Sequence, residues 1–391
     1  MSNSSESKNS PLRYAYGGET HDVHFGLAVI KVGSMVLTGG GGELDQDFIG
    51  RLGALIRRWR DAGHPVILVS SGAVAAGMSV VQPGRKPRTI PEKQAIAAIG
   101  QSRLMSTYTR AFHKHGMEVA QILLTQQDMD HRQRYLNARL TMERLLEMEV
   151  VPIVNENDTT AIDELRFGDN DVLSARVAAK MQAGLLALLT DVGGLYTGHP
   201  NRDKNARLIS VVERVTGETY GHCHKSGSYL GLGGMKSKVR AAELAGAAGA
   251  HTLLTNGRDK ETMDALMDFR AQGTVFLPRG GARMSARAAW IATGRSSRDR
   301  RLIIDDGAVR ALTEKKKSLL PAGVTQTQGV FKFGDTVDVC GPNGVCIARG
   351  LVNFSSEEIE RIKGKRTSEI AGLLDNIPYE EVIHKDNLVL I

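Results

Sequence analysis

The sequence predicts an α/β protein with a mostly parallel sheet, followed by a smaller β-rich unit. From residue 26 onward, short apolar segments alternate with segments of helical periodicity, the pattern of strands joined by crossover helices. The 43 glycines among 391 residues are typical of many tight turns between strands and helices. Beyond residue 301 the apolar segments shorten and are bounded by Gly, Asp and Asn, which indicates a small β-rich barrel.

The elements of the first unit follow in chain order from their apolar patterns. Residues 27–32 form a short apolar strand, and the apolar residues of 48–59 repeat on one helical face. Further strands are predicted at 65–69, 119–124, 150–154, 185–190 and 251–255. Further helices are predicted at 93–115, 132–147, 172–183 and 237–248. Helices that connect parallel strands should cover both faces of the sheet.

The chain is expected to divide into four segments. Residues 1–25 are polar at their start and lack the apolar core of a signal peptide, which predicts a disordered tail. Residues 26–280 hold the α/β domain, and the arginine-rich residues 281–300 form a linker. Residues 301–391 hold the β-rich domain, with short strands at 302–304, 330–331, 337–339, 346–348 and 388–390.

Composition limits the classes of function. A hydrophobic content of 41% supports a folded core, and no apolar run reaches membrane-spanning length. The net charge of +7 is compatible with anionic substrates such as nucleotides and with nucleic acid. The three cysteines have neither zinc-ligand nor CxxC spacing, so we expect reduced thiols and a cytoplasmic location.

Two polar clusters flank a short loop at residues 159–168. Residues 155–158 (Asn-Glu-Asn-Asp) end the strand at 150–154, and residues 169–171 (Asp-Asn-Asp) open the next helix. Polar groups at the carboxyl end of a parallel strand lie where open α/β sheets bind ligands. Carboxylates pair with an ammonium group and amides hold a carboxylate, so the clusters fit a small zwitterion. The alternative interpretation is a turn followed by a helix N-cap, where Asp and Asn are common.

Other strand ends also carry polar or glycine-rich turns. Lys31 lies beside Gly33, and residues 70–77 form a small-residue turn whose backbone N–H groups could hold a carboxylate or phosphate. A glycine loop at residues 231–238 delivers lysines to a helix start. It is not a Walker A loop, because Met235 stands where that motif needs glycine directly before Lys-Ser. Any nucleotide must therefore be held in another way.

The order of these motifs resembles the amino acid kinase family, and within it the glutamate 5-kinase branch. The motifs are LAVIKVGS, VSSGAVAAG, VPIVNENDT, GDNDVLSA, LLTDVGGLYT and GLGGMKSK. Segments 100–105 (GQSRLM) and 123–139 match as well, and the C-terminal part, including 318–324, resembles a PUA domain.

The resemblance implies an open αβα sandwich around a mostly parallel sheet of about eight strands. It also implies ATP- and Mg²⁺-dependent phosphorylation of the side-chain carboxylate of L-glutamate to L-glutamyl 5-phosphate, the first step of proline biosynthesis. The nucleophile is already ionised at neutral pH, so no general base is needed. Catalysis should then rest on positioning and on cations that neutralise the transferring phosphoryl group.

The same resemblance implies roles for individual residues. The catalytic set is Lys31, Lys238 and Asp171. The glutamate-binding set is Ser71, Gly72, Asn155, Asp158, Asp169 and Asn170. The nucleotide-binding set is Lys31, Gly33, Ser34, Thr190, Asp191, Leu232, Gly233, Gly234, Met235, Lys236, Ser237 and Lys238.

Regulation and partners are also expected from the resemblance. The loop at 159–168 aligns with a segment linked to proline feedback inhibition, where Glu164 and Arg166 match charged positions; a solvated pair is the alternative. The family implies a homo-oligomer, either a dimer or a tetramer. Glutamyl-phosphate reductase is an expected partner, because the acyl phosphate is short-lived.

Two alternatives stay open at this point. The chain could be another member of the family, such as an acetylglutamate kinase or an aspartokinase, which share the phosphate-binding logic. It could instead bind RNA through its PUA-like domain, since residues 279–301 and 315–317 are basic. A substrate panel would distinguish the first alternative, and the salt dependence of RNA affinity the second.

Overall fold

The computed structural model describes residues 10–81, 87–160, 170–198, 200, 203–223, 234–278, 291, 300–370 and 379–391, without the side chains of 132, 133, 367 and 368. The chain forms two compact units, Met1–Ala282 and Arg283–Ile391. Of the predicted linker 281–300, only residues 291 and 300 are described. No helix in the described ranges has the length and apolar character needed to cross a membrane.

The first unit alternates strands and helices, as the sequence predicts. Its strands are β1 Leu12–Tyr16, β2 Glu19–Val23, β3 Ala28–Val32, β4 Val66–Ser70, β5 Val119–Leu124, β6 Val151–Glu156, β7 Leu185–Thr190, β8 Val211–Val212, β9 His251–Asn256 and β10 Thr274–Phe276. Its helices are α1 Ser34–Thr38, α2 Gln46–Asp61, α3 Ala73–Val81, α4 Ile90–His113, α5 Gln126–Asp130, α6 Arg132–Glu147, α7 Asn170–Lys180, α8 Gly217–Gly221, α9 Met235–Ala247 and α10 Lys260–Met267.

Eight of these strands form one sheet in the order β5-β6-β4-β3-β7-β9-β10-β8. Pairing is parallel from β5 to β9, and β10 runs antiparallel to β9. The chain passes from β3 to β4 on one side, and later places β7 on the other side of β3. The carboxyl end of β3 is therefore a switch point in the strand order, where open α/β sheets bind ligands.

The central strands bury both of their faces, as parallel sheets require. In β3, Ile30 and Val32 face one hydrophobic core while Val29 faces the other. The first core contains α2 and α4, and the second contains α7 and α9. The mostly parallel αβα sandwich predicted from the sequence is thereby confirmed.

Helix α2 shows how the apolar pattern sets this layer. Its predicted face is completely buried, and comprises Phe48, Ile49, Leu52, Leu55, Ile56 and Trp59. The helix begins where the side chain of Asp45 accepts a hydrogen bond from the backbone N–H of Phe48. The indole N–H of Trp59 donates to the carbonyl of Leu266 at 3.0 Å, which fixes α2 against α10.

Helices α3 and α4 approach unusually closely through two glycines. A Cβ atom added at Gly100 would lie 1.8 Å from the carbonyl oxygen of Ala73 and 2.3 Å from the backbone nitrogen of Gly77. A Cβ atom at Gly77 would lie 1.9 Å from the carbonyl oxygen of Ile96. Only glycine permits this crossing, which carries α4 past the carboxyl end of the sheet.

The disordered tail predicted for residues 1–25 is wrong for residues 12–23, which form the antiparallel hairpin β1–β2. Leu12 and Val23 are buried in the first core. The backbone of Arg13 exchanges hydrogen bonds of 2.8 and 2.7 Å with Phe269 and Ala271. Because these partners are remote in sequence, the local composition gave no sign of them. Residues 1–9 lie outside the described range.

The second unit is β-rich, as predicted. Its strands are β11 Arg301–Ile304, β12 Val324–Gln328, β13 Thr336–Cys340, β14 Cys346–Leu351 and β15 Leu388–Leu390, and its helices are α11 Asp306–Thr313, α12 Ser356–Ile362 and α13 Thr367–Ile370. The strands form one sheet in the order β12-β11-β13-β14-β15. The strand predicted at 330–331 is wrong, because Gly329 turns the chain at a φ of 79° and only Phe331 enters the core.

A disulfide joins Cys340 to Cys346 across β13 and β14. This differs from the reduced thiols expected from cysteine spacing alone. The two residues are opposite each other in the antiparallel ladder, directly after a register shift between Val339 and Cys340. The third cysteine, Cys223, is a free thiol in the first unit.

We predict that Gly100→Ala lowers the free energy of unfolding by about 3 kcal/mol, because the added methyl group clashes with backbone atoms of α3. Urea denaturation would measure this change. Gly50→Ala is the matched control, since Gly50 also lies in a helix and nothing stands within 4 Å of its added Cβ. The control should be neutral or slightly stabilising. Equal stability of the two variants would contradict the prediction.

Candidate active site

The predicted polar residues meet at the carboxyl edge of the central strands. Lys31 lies near the end of β3, Ser71 follows β4, Asn155 lies near the end of β6, and Thr190 ends β7. These four strands are neighbours in the sheet. Strand polarity therefore brings together residues that are up to about 160 residues apart in sequence.

A buried carboxylate lies at the centre of this edge. Asp171, in the first turn of α7, is 0% exposed. One of its oxygens, Oδ1, forms an ion pair with Lys31 Nζ, and Oδ2 accepts from Lys238 Nζ at 3.1 Å. Ser237 Oγ also donates to Oδ2, at 2.9 Å. The three residues of the predicted catalytic set are thus in direct contact.

Lysines outnumber carboxylates among these three residues. Two ammonium groups surround one carboxylate, and both lysines are less than a tenth exposed. A buried charge needs a partner, and the carboxylate of Asp171 provides one for both lysines. Two cations placed close together in this way are suited to an anionic ligand at this edge of the sheet, such as a phosphoryl group.

The start of α9 offers a second feature for an anion. Its N-cap is Gly234, which has no side chain to accept hydrogen bonds from the first-turn N–H groups. Met235, Lys236 and Ser237 make up that first turn. The N–H of Ser237 donates to the carbonyl of Gly234 at 3.1 Å. The N–H groups of Met235 and Lys236 and the positive end of the helix dipole are features that attract phosphate. Leu232 and Gly233, also predicted to contact nucleotide, lie outside the described residues.

The turn after β3 supports Lys31. The backbone N–H of Gly33 donates to the carbonyl of Leu189 on β7 at 3.2 Å. Helix α1 begins at Ser34, with Gly33 as its N-cap and no side-chain cap. A Cβ atom on Gly33 would stand 3.7 Å from Lys31 Nζ, so the glycine leaves room beside the ammonium group.

A network of amide side chains lies next to the carboxylate. Asn170 Nδ2 lies 3.0 Å from the carbonyl of Ser70, from Ser71 Oγ and from Asn155 Oδ1. Asn155 Oδ1 also accepts from the backbone N–H of Glu156 at 2.9 Å. Asn155 is almost completely buried, so its polar atoms depend on these partners. Asn170 therefore contacts two other residues of the predicted glutamate-binding set, Ser71 and Asn155.

The turn after β4 is shaped by Gly72 and Tyr108. Gly72 has a φ of 96°, which favours glycine, and its carbonyl accepts from Ala76 at the start of α3. Ser70 Oγ lies 2.8 Å from the hydroxyl of Tyr108 in a buried contact. Burial raises the pKa of the Tyr108 phenol, which keeps it neutral.

Other predicted residues lie at the ends of the neighbouring elements, and most of them are more exposed. Asp158 follows β6 and is half-buried. Thr190 Oγ1 donates to Asp191 Oδ1 at 3.0 Å, and Asp191 itself is exposed. Lys236 is exposed, and its charge opposes the rise that burial causes in the pKa of the Cys223 thiol. Asp169, Glu164 and Arg166, which are also predicted site residues, lie outside the described residues.

The structure adds two residues to which the sequence analysis assigns no role. Gln101, on α4, accepts a hydrogen bond from Asn155 Nδ2 at 2.8 Å. Arg258, after β9, donates to the carbonyl of Val36 at 3.2 Å and pairs with Asp45, so it closes the end of α1. Gln101 falls in the matched segment GQSRLM, which is the only sequence signal for it.

Two family matches correspond to the two units. Residues 26–256 match the amino acid kinase family. The chain belongs to the amino acid kinase family. Residues 300–374 match the PUA domain. The resemblance inferred from the motif order is confirmed, and it extends over both units.

Several relatives are similar along almost their whole length. The glutamate 5-kinase of Geobacter sulfurreducens is 48% identical over 364 residues, covering 93% of this chain and 97% of that protein. The glutamate 5-kinase of Pelobacter propionicus is 45% identical over 363 residues, with the same coverage of 93% and 97%. That of Thermoanaerobacter pseudethanolicus is 42% identical over 363 residues, again covering 93% and 97%.

We predict that Asp171→Asn lowers the free energy of unfolding by about 3 kcal/mol, because two buried lysines lose their shared counter-charge. Chemical denaturation at neutral pH would measure it. Asp191→Asn is the matched control, since Asp191 is exposed, and it should change stability by less than about 0.5 kcal/mol. An Asp171→Asn variant as stable as the control would show that the lysines do not need this carboxylate for folding.

Proposed function

We propose that this chain transfers the γ-phosphoryl group of ATP to the side-chain carboxylate of L-glutamate and so forms L-glutamyl 5-phosphate. The observation that carries the proposal is the Lys31–Asp171–Lys238 cluster at the switch point of the sheet, directly beside the amide network. The activity is that named for the relatives which match almost the whole chain. On this proposal the reaction is the first step of proline biosynthesis.

The chemistry requires no base from the protein. A carboxylate oxygen of glutamate attacks the γ-phosphorus, the bond from phosphorus to the bridging oxygen breaks, and ADP leaves. The main barrier is electrostatic, because a carboxylate must approach a triphosphate. Lys31 and Lys238 lower this barrier by neutralising the phosphoryl oxygens, and Asp171 holds both ammonium groups in place before the reaction.

The nucleotide is proposed to bind over α1 and α9. No side chain caps the starts of α1 and α9. The N–H groups of Val36 and Ser237 donate to the carbonyls of Gly33 and Gly234, and the N–H groups of the two residues directly after each glycine are proposed to donate to phosphate oxygens. Thr190 and Asp191 lie at the end of β7, beside this edge, and complete the proposed nucleotide site. Mg²⁺ would be held mainly by the phosphates and water, as is usual for nucleotide-bound magnesium, because Asp171 is already occupied by two lysines.

Glutamate is proposed to bind against the amide network. Asn155, Asn170 and Ser71 present hydrogen-bonding groups from three elements, and Gly72 brings backbone close to them. Asp158 follows β6 and supplies a carboxylate for the substrate ammonium. Since Asn170 and Asp171 are consecutive on α7, the substrate and phosphate subsites are adjacent.

We predict that the purified protein releases ADP from Mg-ATP only when L-glutamate is present. Hydroxylamine should trap an equal amount of acyl phosphate as hydroxamate. Aspartate, acetylglutamate and UMP are tested in place of glutamate, as alternative substrates that would reveal other activities of the family. Turnover with one of these and not with glutamate would keep the fold and exclude the proposed substrate.

Within the same assay, Lys238→Ala should lower kcat by about two to three orders of magnitude, because it removes a cation from the transferring group. Arg240→Ala on the same helix is the control, since Arg240 is exposed and pairs with Glu243. The control should retain activity. Equal loss in both variants would show that helix α9 is merely destabilised.

Proline is proposed as a feedback inhibitor that acts through the loop at 159–168. We predict that millimolar proline reduces the rate at subsaturating glutamate and has less effect at saturating glutamate. The Glu164→Ala and Arg166→Ala variants should lose inhibition while keeping the uninhibited rate. A rate insensitive to proline at low glutamate would exclude this regulation.

The protein is also proposed to form a dimer or a tetramer, which light scattering on the same samples can measure. Glutamyl-phosphate reductase is the proposed partner that would take up the labile product.

A further inference from the structure

Three amide side chains form a relay from α4 to α7. Gln101 Oε1 accepts from Asn155 Nδ2 at 2.8 Å, and Asn155 Oδ1 accepts from Asn170 Nδ2 at 3.0 Å. Gln101 is 9% exposed and Asn155 is 2% exposed. Two atoms of this relay, Gln101 Nε2 and Asn170 Oδ1, are buried and have no hydrogen-bond partner among the described residues.

Backbone groups fix the direction of the relay at both ends. The N–H of Glu156 can only donate, and it donates to Asn155 at 2.9 Å, so the atom of Asn155 facing it is the oxygen. The nitrogen of Asn155 must then face Gln101, which presents its oxygen in return. The carbonyl of Ser70 can only accept, so the atom of Asn170 facing it is the nitrogen.

The two unpartnered atoms therefore have opposite character. The relay leaves a donor at Gln101 Nε2 and an acceptor at Asn170 Oδ1. Buried polar groups without partners are costly, which points to a ligand that supplies both. A carboxylate satisfies the donor and an ammonium group satisfies the acceptor, and an α-amino acid carries both on one carbon atom.

We propose that Gln101 is a specificity-determining residue that donates from Nε2 to the α-carboxylate of the substrate, while Asn170 Oδ1 accepts from its ammonium group. The proposal rests on the proposed phosphorylation of glutamate and assigns its α-carbon groups to named atoms. Holding the α-carboxylate at α4 leaves the side-chain carboxylate as the group that meets Lys31 and Lys238.

Gln101→Glu is the decisive variant. It keeps an oxygen that accepts from Asn155 and replaces the Nε2 donor by a second carboxylate oxygen. At about pH 8, above the ordinary pKa of a glutamate side chain, it should raise the KM for L-glutamate more than tenfold, because two carboxylates then face each other. Gln101→Met removes both polar atoms and should raise this KM about tenfold. In both variants the KM for ATP should stay within about twofold of the parent value.

Substrate analogues identify the group that Gln101 contacts. Glutarate lacks the amino group, and 4-aminobutyrate lacks the α-carboxylate. Both compounds are tested as competitive inhibitors against L-glutamate. The Gln101→Met substitution should raise the inhibition constant of glutarate about tenfold and change that of 4-aminobutyrate less than about twofold. Ser102→Ala, an exposed neighbour on α4, is the control and should leave all constants unchanged.

Three outcomes would overturn the assignment. If Gln101→Glu behaves like the parent enzyme, Gln101 acts only by orienting Asn155. If Gln101→Met weakens the binding of L-glutamate, glutarate and 4-aminobutyrate by the same factor, Gln101 does not contact the α-carboxylate. If the parent protein neither binds nor turns over glutamate, the proposed function fails first and the assignment of Gln101 fails with it.

Discussion

The buried carboxylate of Asp171 is the constraint on which the α/β unit depends. It holds Lys31, from the first strand of the large sheet, and Lys238, from a helix more than two hundred residues later. For both lysines to reach one carboxylate, α7 must begin over the centre of the sheet and α9 must pack beside it. A buried ion triad contributes little net stability, because desolvation offsets most of the attraction. Its value lies in arranging two cations before a third, anionic group arrives.

The strand order of the sheet and the close packing at Gly77 and Gly100 together shape the carboxyl edge of the sheet. Strand order brings the ends of β3, β4, β6 and β7 together. The first polar cluster begins on β6, and Asn170 and Asp171 of the second cluster open α7. The close contact of α3 with α4 at Gly77 and Gly100 places α4 near enough to β6 for Gln101 to accept a hydrogen bond from Asn155. One face of the site is thus set by the sheet and another by a helix crossing that only glycine allows.

Much of this arrangement could be predicted from the sequence, because it depends on local patterns. The apolar face of α2, the central strands and the convergence of polar residues at the strand ends all follow from periodicity and strand polarity. The hairpin β1–β2 could not be predicted, since Arg13 pairs with Phe269 and Ala271 across the fold. Strands β8 and β10 are too short to show a pattern. The role of Gln101 could not be predicted for a similar reason. Its partner Asn155 lies on β6, and a single glutamine on a helix gives no indication of burial.

The direction of the amide relay explains why one carboxylate of a two-carboxylate substrate would react and the other would not. Gln101 and Asn170 end the relay with a donor and an acceptor, so a zwitterion fits in one orientation. Asn170 and Asp171 are consecutive on α7, and successive helical side chains point about 100° apart. On the proposed function, Asn170 would face the α-carbon groups, while Asp171 holds the two lysines that would meet the phosphoryl group. A substrate anchored in this way can extend only its side-chain carboxylate towards Lys31 and Lys238. On the proposal, the choice between the two carboxylates follows because Gln101 on α4 holds the α-carboxylate, while the lysines paired with Asp171 meet the other.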